Sequence, residues 1–520
     1  MTIEKFISTT LLWLTVVAFA AQFAIDFSTD NIAASSIILT YVLVTLLYFR
    51  WTKALETHPL SSFAIFGFCV TSGLGALLAQ SIAWTAVGDS LHQPILTFTI
   101  LAMYQFVALV AHAFYRILTS SSVNKQGLVR HVLQALGVYA APSVINLWFM
   151  GGIGLFSLLL SQISPVANGL SFLAWAPFLI PIYVQQYGSS YCHAKKHYLF
   201  LLPFFILIAL MAMVFNTRGM MLSGLMTVAL LFLLIGMRSI KPIESSLLLK
   251  LAGVGLLGVA LSWPVSNMVT AMAVARVDRG KIPPIEMVGK TLENFKDTDK
   301  LERYKKLALA KDLRTAYDEK YINNPMMARL VITKYHDNAI YFAGKISARG
   351  AEEIMKISQD FLWTTLPQPW LDALKIDVEK DKMQFTMGDT LAHYAIGTPL
   401  SGQRTGSIFG EGWLIFGNLF PVIYFVMCLI LFIAIDLFST RNAAGMTVLS
   451  VIGMLNVWPN FLFGITADSL HHLFIGVVRG VVQPVILYAI VFALAKGLSN
   501  LYLKLTHSKS SFNSAIIGEN

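Results

Sequence analysis

Two arginines lie where a membrane-type sequence seldom has them. Arg218 is in the turn Asn216-Thr217-Arg218-Gly219 between two strongly apolar runs, and Arg479 lies inside the last apolar run. A guanidinium is permanently charged, and its planar fork of donors fits phosphate oxygens. Both arginines are therefore candidate phosphate or pyrophosphate clamps. The alternatives are a snorkelling headgroup anchor for Arg218 and a structural ion pair for Arg479, which would lie roughly 10 Å below the surface.

The segment before the tenth apolar run contains candidates for acid–base chemistry. Asp389 and His393 have i,i+4 spacing, which places them on one face if this segment is helical. A carboxylate that orients a histidine is a general-base arrangement. Arg404 and Glu411 follow among several glycines, where substrate can approach the backbone closely. An ordinary surface histidine is the alternative for His393, and a carboxylate at a helix N-terminus is the alternative for Glu411.

Metal sites and nucleotide sites have little support in the sequence. Asp468 with His471-His472 could bind a metal, but adjacent histidines diverge on a helix and an interfacial position explains them. The pair in Asp297-Thr298-Asp299 belongs to a charged run typical of a solvated helix face. A P-loop, a zincin motif and a nucleophile elbow are all absent from the sequence. We therefore do not expect ATP hydrolysis or nucleotide-sugar-dependent transfer.

Composition indicates which solvent these residues meet. The chain of 520 residues is 56% hydrophobic and 13% charged, with mean hydropathy +0.66. A soluble domain has roughly 25% charged residues, so most of this surface must face lipid. The apolar runs are continuous over about twenty residues, which predicts spanning helices rather than barrel strands. The net charge of +10 does not indicate nucleic-acid binding, because the basic residues lie largely in short loops between runs.

Hydropathy predicts an all-α polytopic membrane protein with about twelve transmembrane helices. In the 139–164 stretch, Pro142 and Gly151-Gly152 could divide one span into two pieces or form a re-entrant segment. The short loops 26–32, 84–92, 151–163 and 466–472 contain no Lys or Arg, whereas the alternate loops are basic. Positive charge marks the cytoplasmic side, so both termini are expected there. The predicted spans are 6–25, 33–50, 61–83, 93–116, 130–150, 164–186, 197–216, 219–237, 250–272, 411–437, 445–465 and 473–495.

One polar segment interrupts the spans and divides the chain into four parts. We expect transmembrane helices 1–9 in residues 1–274, a helical outer domain in 275–408, helices 10–12 in 409–499 and a cytoplasmic tail in 500–520. Within the outer domain, charge and leucine spacing predicts helices over Asp299–Tyr321, from Pro325 to about Ile346, and over Ala351–Leu362. The candidate residues gather on this outer face.

These motifs resemble those of the bacterial O-antigen polymerases, the oligosaccharide repeat-unit polymerases, which are related to the O-antigen ligases. Asn216-Thr217-Arg218-Gly219 is similar to the family's Arg-Gly turn, and Gly406–Gly417 is similar to its Gly-Glu-aromatic segment before a span. Asn324-Pro325 with Arg329 resembles an Arg-containing segment of its periplasmic loop. The similarity covers the architecture throughout, but motif identity covers only about thirty residues. His393 could correspond to the loop histidine of the ligases, although a clear ligase signature around it is absent.

The resemblance implies a C-type glycosyltransferase-like bundle in the bacterial inner membrane, with its active face in the periplasm. The donor would be a glycan on undecaprenyl pyrophosphate, and the acceptor another lipid-linked repeat unit. It implies no metal or nucleotide, and it suggests membrane lipid and a chain-length regulator protein as further partners. His393, Asp389 and Glu411 would be the catalytic candidates, and Arg218, Arg479, Arg404 and Arg329 the pyrophosphate or substrate ligands. An O-antigen ligase, a lipid-linked sugar transporter and a membrane scaffold whose outer domain binds a partner remain alternatives.

Overall fold

The computed structural model describes most of the chain. The described residues are 2–120, 127–160, 165–187, 195–215, 218–244, 260, 263–278, 281–309, 317–322, 328, 330–366, 368–378, 380, 383–441 and 446–517.

The first half of the chain is a series of apolar helices. Thr2 and Ser28 cap α1 and α2 by accepting backbone N–H groups, and Pro59 begins α4 at a position where its missing N–H costs nothing. The helices are α1 (Ile3–Ile25), α2 (Thr29–Thr52), α3 (Ala54–Thr57), α4 (Pro59–Cys69), a π-helical turn (Val70–Leu74), α5 (Gly75–Ile82), α6 (Pro94–Ser120), α7 (Leu128–Ala135), α8 (Val144–Leu160), α9 (Pro165–Leu170), a 3-10 helix (Ser171–Leu179), α10 (Ile180–Tyr187), α11 (Tyr198–Val214), α12 (Arg218–Met237) and α13 (263–275).

The second half contains the polar domain and the last spans. The domain follows a 3-10 turn (Arg276–Asp278) and consists of α14 (Pro284–Lys296), α15 (Thr298–Leu309), α16 (Thr333–Ala343), α17 (Ala348–Trp363), α18 (Gln368–Leu374) and α19 (Met387–Ile396). The rest consists of α20 (Ile408–Phe416), a 3-10 turn (Gly417–Leu419), α21 (Phe420–Asp436), the antiparallel hairpin of β1 (Ser439–Arg441) and β2 (Thr447–Leu449), α22 (Val451–Leu455), α23 (Val457–Phe463) and α24 (Leu470–Ile517).

The chain is an all-α polytopic membrane protein. Among the described residues, eight helices are long and apolar enough to cross a membrane. They are Ile3–Ile25, Thr29–Thr52, Pro59–Ile82, Pro94–Thr119, Ala167–Gln186, Lys195–Val214, Ile408–Asp436 and Leu470–Leu498. Val144–Leu160 and Ser223–Met237 are shorter apolar helices. Most of the predicted span 250–272 lies outside the described residues.

Two predicted spans have a different structure. The span expected at 130–150 is divided, because the amphipathic α7 ends at Ala135 and Pro142 precedes α8, which continues through Gly151 and Gly152 to Leu160. The span expected at 445–465 is replaced by strand β2 and the short helices α22 and α23, which meet at Asn456. The first break agrees with the possibility that Pro142 divides a span, whereas the second was not predicted, because the segment is apolar but carries local breaks in the helical backbone.

The polar domain is helical, as expected, but two of its helices are shorter than predicted. Of the helix predicted over Asp299–Tyr321, the described part reaches Leu309, and residues 317–320 are not helical. Of the segment predicted from Pro325, residues 330–332 are not helical, and α16 begins at Thr333. The third prediction, over Ala351–Leu362, agrees with α17. A small apolar core joins α16, α17 and α19 through Ala339, Ala343, Ile354, Phe361, Met387 and Leu391.

The domain docks on the membrane bundle through backbone hydrogen bonds. The π-turn Val70–Leu74 interrupts the regular helical ladder, and its carbonyl groups accept from outside the helix. Ile332 N–H donates to the Thr71 carbonyl at 3.0 Å, and the Thr333 hydroxyl donates to the Ser72 carbonyl at 3.0 Å. We call this end of the bundle, with the 83–93 connection, the domain end. The opposite end carries Lys53, Arg130 and the β-hairpin.

Candidate functional site

Asp389 is a structural anchor of the domain rather than a partner of His393. Thr386 and Asp389 form a capping box at the start of α19, and Asp389 is fully buried. Its carboxylate accepts from Gln403 N–H at 2.8 Å, from Arg404 N–H at 3.2 Å and from the Arg404 guanidinium at 2.9 Å. Burial would raise the pKa of Asp389, but these donors outweigh it and lower the pKa. Asp389 and Arg404 therefore hold the 398–406 turn against α19.

His393 lies on α19, so the segment is helical, but the expected carboxylate–histidine pair is not formed. Its ring Nδ1 donates to the Thr398 carbonyl at 2.8 Å, since a carbonyl oxygen can only accept. The residue is exposed near the end of the helix, whereas Asp389 is at the buried beginning. The i,i+4 spacing puts both residues on one helix. The Asp389 carboxylate, however, belongs to the capping box with Thr386 and does not contact His393.

Two of the predicted arginine ligands have no described side chain. Arg218 begins α12, but its side chain lies outside the described residues, as do Asn216 and Thr217. Arg329 also lies outside the described residues. Their roles as substrate ligands stay predictions.

Glu411 joins the first turn of α20 to the first residue of α24. The side chain is fully buried. One carboxylate oxygen accepts from the Ser358 hydroxyl at 2.6 Å, and the other accepts from Leu470 N–H at 2.7 Å. The carboxylate therefore lies at two helix N-termini, where the helix dipoles favour negative charge. This geometry matches the helix-dipole alternative for Glu411, and both oxygens are already occupied.

A carboxylate–histidine pair of the kind expected at His393 is formed instead by Asp468 and His472. His472 Nδ1 is in hydrogen-bond contact with an Asp468 carboxylate oxygen. A carboxylate only accepts when it is ionised, so Nδ1 carries the hydrogen and Nε2 is left to accept a proton. The His472 side chain is 49% exposed and the Asp468 side chain 28% exposed. This pair has the orientation of a general base that is accessible to a substrate.

His471, next to His472, has a different role. Its ring stacks on Phe361 with centroids 4.4 Å apart and an interplanar angle of 9°. The residue is buried, so it packs α24 against α17 of the domain. The rings of His471 and His472 are stacked, with centroids 4.5 Å apart and an interplanar angle of 28°, so the expected divergence of these adjacent histidines is wrong, although only His472 is exposed.

Arg479 lies two helical turns after His472 on the same face of α24. Seven residues correspond to about 10 Å along the helix axis. Its guanidinium donates to the carbonyl of Thr364 at 3.3 Å and also to the carbonyl of Thr365. These are carbonyl groups at the C-terminal end of α17, which lack helical partners. The polar partners of Arg479 are therefore backbone carbonyls rather than the carboxylate of a structural ion pair. The residue as a whole is exposed.

A cavity of about 360 Å³ lies beside the Asp468–His472 pair. Its walls come from α21, α23 and the first two turns of α24. Asn460, Asp468 and His472 are its polar groups, and the remaining lining is mostly apolar or glycine. The lining extends along α24 to Gly476, one turn before Arg479. A sugar hydroxyl and an apolar chain could therefore occupy neighbouring parts of one groove.

Buried polar pairs fix the elements behind this site. Lys334 and Asp337 of α16 form an ion pair at 2.9 Å in which both side chains are fully buried. His336 Nδ1 lies 2.7 Å from the hydroxyl of Ser407, the N-cap residue of α20. Burial lowers the pKa of His336 to about 3, so the imidazole is neutral at ordinary pH. These residues position α16 and α20 and do not face the cavity.

Neither the Asp468–His472 pair nor the buried Lys334–Asp337 pair was predicted from the sequence. Asp468 and His472 have the same i,i+4 spacing as Asp389 and His393, and they lie where a span begins. That spacing could have indicated the Asp468–His472 pair, but we interpreted His471-His472 as interfacial residues. Lys334 and Asp337 have i,i+3 spacing on a polar helix, so the sequence offers no sign that this pair is buried.

Comparison of the chain with protein-family models, with curated proteins and with solved structures gave no match.

Proposed function

We propose that this chain is a glycosyltransferase that moves an oligosaccharide from undecaprenyl pyrophosphate to a lipid-linked repeat unit. The proposal combines the motif resemblance with one observation. The Asp468–His472 pair opens to a cavity on the same helix face as the exposed Arg479. A transferase for a lipid-linked donor needs a base, a cation for the leaving group and a path for the lipid, and these three features supply them.

The proposed chemistry is a single displacement at the anomeric carbon of the donor sugar. His472 Nε2 removes the proton from the acceptor hydroxyl while Asp468 holds the other ring nitrogen. The new bond forms between the acceptor oxygen and the anomeric carbon. The bond from that carbon to the pyrophosphate oxygen breaks, and undecaprenyl pyrophosphate leaves with the electron pair. Arg479 stabilises the negative charge that develops on the pyrophosphate.

The proposal includes an orientation in the bacterial inner membrane. We place the domain end, with residues 275–408, in the periplasm and both termini in the cytoplasm, and we retain about twelve crossings. The distribution of Lys and Arg among the short loops supports this orientation. The lipid tails would then reach the cavity from the outer leaflet, and a chain-length regulator would contact the periplasmic domain.

An O-antigen ligase would use the same groups with a different acceptor. A transporter of lipid-linked sugars is less favoured, because transporters place their polar residues near the middle of the membrane. Asp468 and His472 instead lie where α24 begins, beside the domain.

The test is complementation of a deletion strain with His472→Gln, with His393→Gln as the matched control. We expect His472→Gln to insert normally and to reduce glycan chain extension roughly 100-fold or more, the range for loss of a general base. His393→Gln should keep chain extension. Surface-glycan profiles on gels, with membrane levels of each variant, give the readout.

The same profiles distinguish the alternatives. Single repeats on the lipid core in the deletion strain support a polymerase, and unattached long polymer supports a ligase. Normal chain extension by His472→Gln would remove this histidine as the base. If a deletion strain makes normal surface glycans, the proposed function is wrong.

A further inference from the structure

A second cavity lies at the opposite end of the bundle, far from the candidate site. Its volume is about 490 Å³. The walls come from the residues before α4, the last turn of α6, the beginning of α7 and the turn between α21 and β1. None of these elements belongs to the polar domain, so the cavity has no evident part in the proposed transfer reaction.

Positive charge dominates this cavity. Arg130 and Arg441 both line it. Burial, followed by the charges of Arg116, Arg441 and Arg130, lowers the pKa of the lining residue His58 to about 4. The His58 imidazole is therefore neutral at physiological pH. The guanidinium groups of Arg116, Arg441 and Arg130 all contribute positive charge at this cavity.

The single carboxylate of the lining does not neutralise these arginines. Asp436 is buried and accepts from Ser61 N–H at 3.1 Å and from the Ser61 hydroxyl at 2.5 Å. Because that hydroxyl hydrogen goes to Asp436, the contact at 2.9 Å between Ser61 Oγ and His112 is donated by His112 Nε2. In the described part of the chain, neither Arg130 nor Arg441 forms an ion pair with a carboxylate.

Arg130 and Arg441 have donors to spare. Within the described residues, the Arg130 side chain has one hydrogen bond, a long contact of 3.4 Å to the Ser439 carbonyl. For the Arg441 side chain the same residues provide no hydrogen-bond acceptor, and this residue is exposed. Thr440, which carries a hydroxyl group, also lines the cavity. Two forked cations beside a hydroxyl group form a site that suits a phosphate group.

The outer surface of α7 indicates where such a phosphate would come from. Leu128 is 81% exposed and Val129 is 55% exposed, directly before Arg130. Exposed apolar residues next to a cation at the end of a membrane bundle are typical of a helix that lies in the lipid headgroup region. A lipid phosphate could enter the cavity while its acyl chains remain against α7.

We propose that the cavity between α7 and the α21–β1 turn is a binding site for a phosphate diester or monoester, supplied by the headgroup of an anionic membrane lipid. Arg130 and Arg441 would hold the phosphate oxygens, and the Thr440 hydroxyl would donate a further hydrogen bond. A soluble phosphate ester has the same chemistry, and the experiment separates the two sources.

The test compares wild type, Arg130→Gln/Arg441→Gln and the control Arg50→Gln in detergent. Arg50 is an exposed arginine in the last turn of α2, outside the cavity lining. Native mass spectrometry with phosphatidylglycerol and phosphatidylcholine measures lipid retention, and thermal unfolding with inorganic phosphate measures soluble binding. We expect wild type and Arg50→Gln to retain phosphatidylglycerol selectively, and the double variant to bind it roughly tenfold or more weakly.

Arg130→Lys/Arg441→Lys keeps both charges and checks that the arginines are not needed for folding alone. This variant should retain part of the phosphatidylglycerol selectivity. Stabilisation of wild type by inorganic phosphate, lost in the double glutamine variant without a difference in lipid retention, would support a soluble phosphate instead. Equal retention of both lipids by wild type, or equal lipid and phosphate binding by wild type and the double variant, would overturn the proposal.

Discussion

The ammonium group of Lys334 and the carboxylate of Asp337 form an ion pair at 2.9 Å, and neither side chain is exposed to solvent. The same carboxylate accepts from His92 N–H at 2.8 Å, Gln93 N–H at 3.1 Å and the Thr97 hydroxyl at 3.0 Å. One side chain thus joins α16 of the domain to the 83–93 connection and to the first turn of α6. A buried charge needs such compensation, since its desolvation is costly.

Asp337→Asn should therefore destabilise the protein strongly. Removing one partner of a buried ion pair leaves the other charge uncompensated, which costs about 3–5 kcal/mol. Glu293→Gln is the control, because it changes the exposed pair Lys290–Glu293 and should cost less than about 1 kcal/mol. Chemical unfolding of the purified variants in detergent measures the difference. Equal losses for the two variants would mean that the buried pair does not hold the domain.

Gly154 and Gly152 on α8 should respond to alanine in opposite directions. A Cβ on Gly154 would lie 2.0 Å from the backbone nitrogen of Ala174, whereas a Cβ on Gly152 would meet nothing within 4 Å. Gly154→Ala should cost more than about 1 kcal/mol through overpacking. Gly152→Ala should stabilise by roughly 0.5–1 kcal/mol, because alanine loses less backbone entropy in a helix. Thermal unfolding of both variants checks the contrast, and a stabilised Gly154→Ala would contradict the packing of α8.

Stability should fall in acid partly through Asp389. The donors around its carboxylate lower its pKa in the folded protein below the ordinary value. Its contribution is therefore complete above the pKa of an unfolded aspartate and is lost as the pH falls through the lowered folded value. Asp389→Asn should be less stable at neutral pH and should show a flatter pH dependence below about pH 4. Unfolding between pH 2 and 7 tests this, and parallel curves for the two proteins would contradict it.

The sequence predicted the bundle well because long apolar runs leave the backbone no alternative to a helix in lipid. The sequence left open the break at Pro142 before α8, but it failed at α22–α23, where Asn456 and the β-hairpin break an apolar segment locally. The same contrast between sequence pattern and local structure applies to the candidate site. The sequence placed Asp389 and His393 on one face only if their segment is helical, and α19 meets that condition, but which carboxylate faces which histidine depends on capping and docking. These are tertiary contacts that spacing does not encode.

The orientation can be tested with an impermeant cysteine reagent. The Arg349 side chain in the domain is 90% exposed, and Arg50 is exposed at the opposite end. Arg349→Cys should be labelled in cells with a permeable outer membrane, and Arg50→Cys only after lysis, because we place the domain in the periplasm. Cys69 and Cys428 are buried, so a Cys192→Ser background limits other labelling. The reverse labelling pattern would show that the topology is the opposite of the proposed one and that the proposed site lies on the cytoplasmic side.

We expect Glu411 to position the beginning of α24 rather than to act as a base. Its two oxygens accept from the Ser358 hydroxyl and from Leu470 N–H, so it fixes the beginning of α24, which carries His472. A glutamine can keep both contacts, because its oxygen accepts from Leu470 and its amide donates to the Ser358 oxygen. Glu411→Gln should therefore retain chain extension and unfold near the wild-type midpoint.

Glu411→Ala separates the two roles of this carboxylate. It leaves two buried donors unpaired, each of which costs about 1–3 kcal/mol, and it releases the beginning of α24. We expect a large loss of stability and loss of chain extension together. Surface-glycan profiles and unfolding midpoints are measured for both variants. If Glu411→Gln folds normally but makes no long glycan, the negative charge itself takes part in the reaction, and Glu411 joins His472 as a catalytic residue.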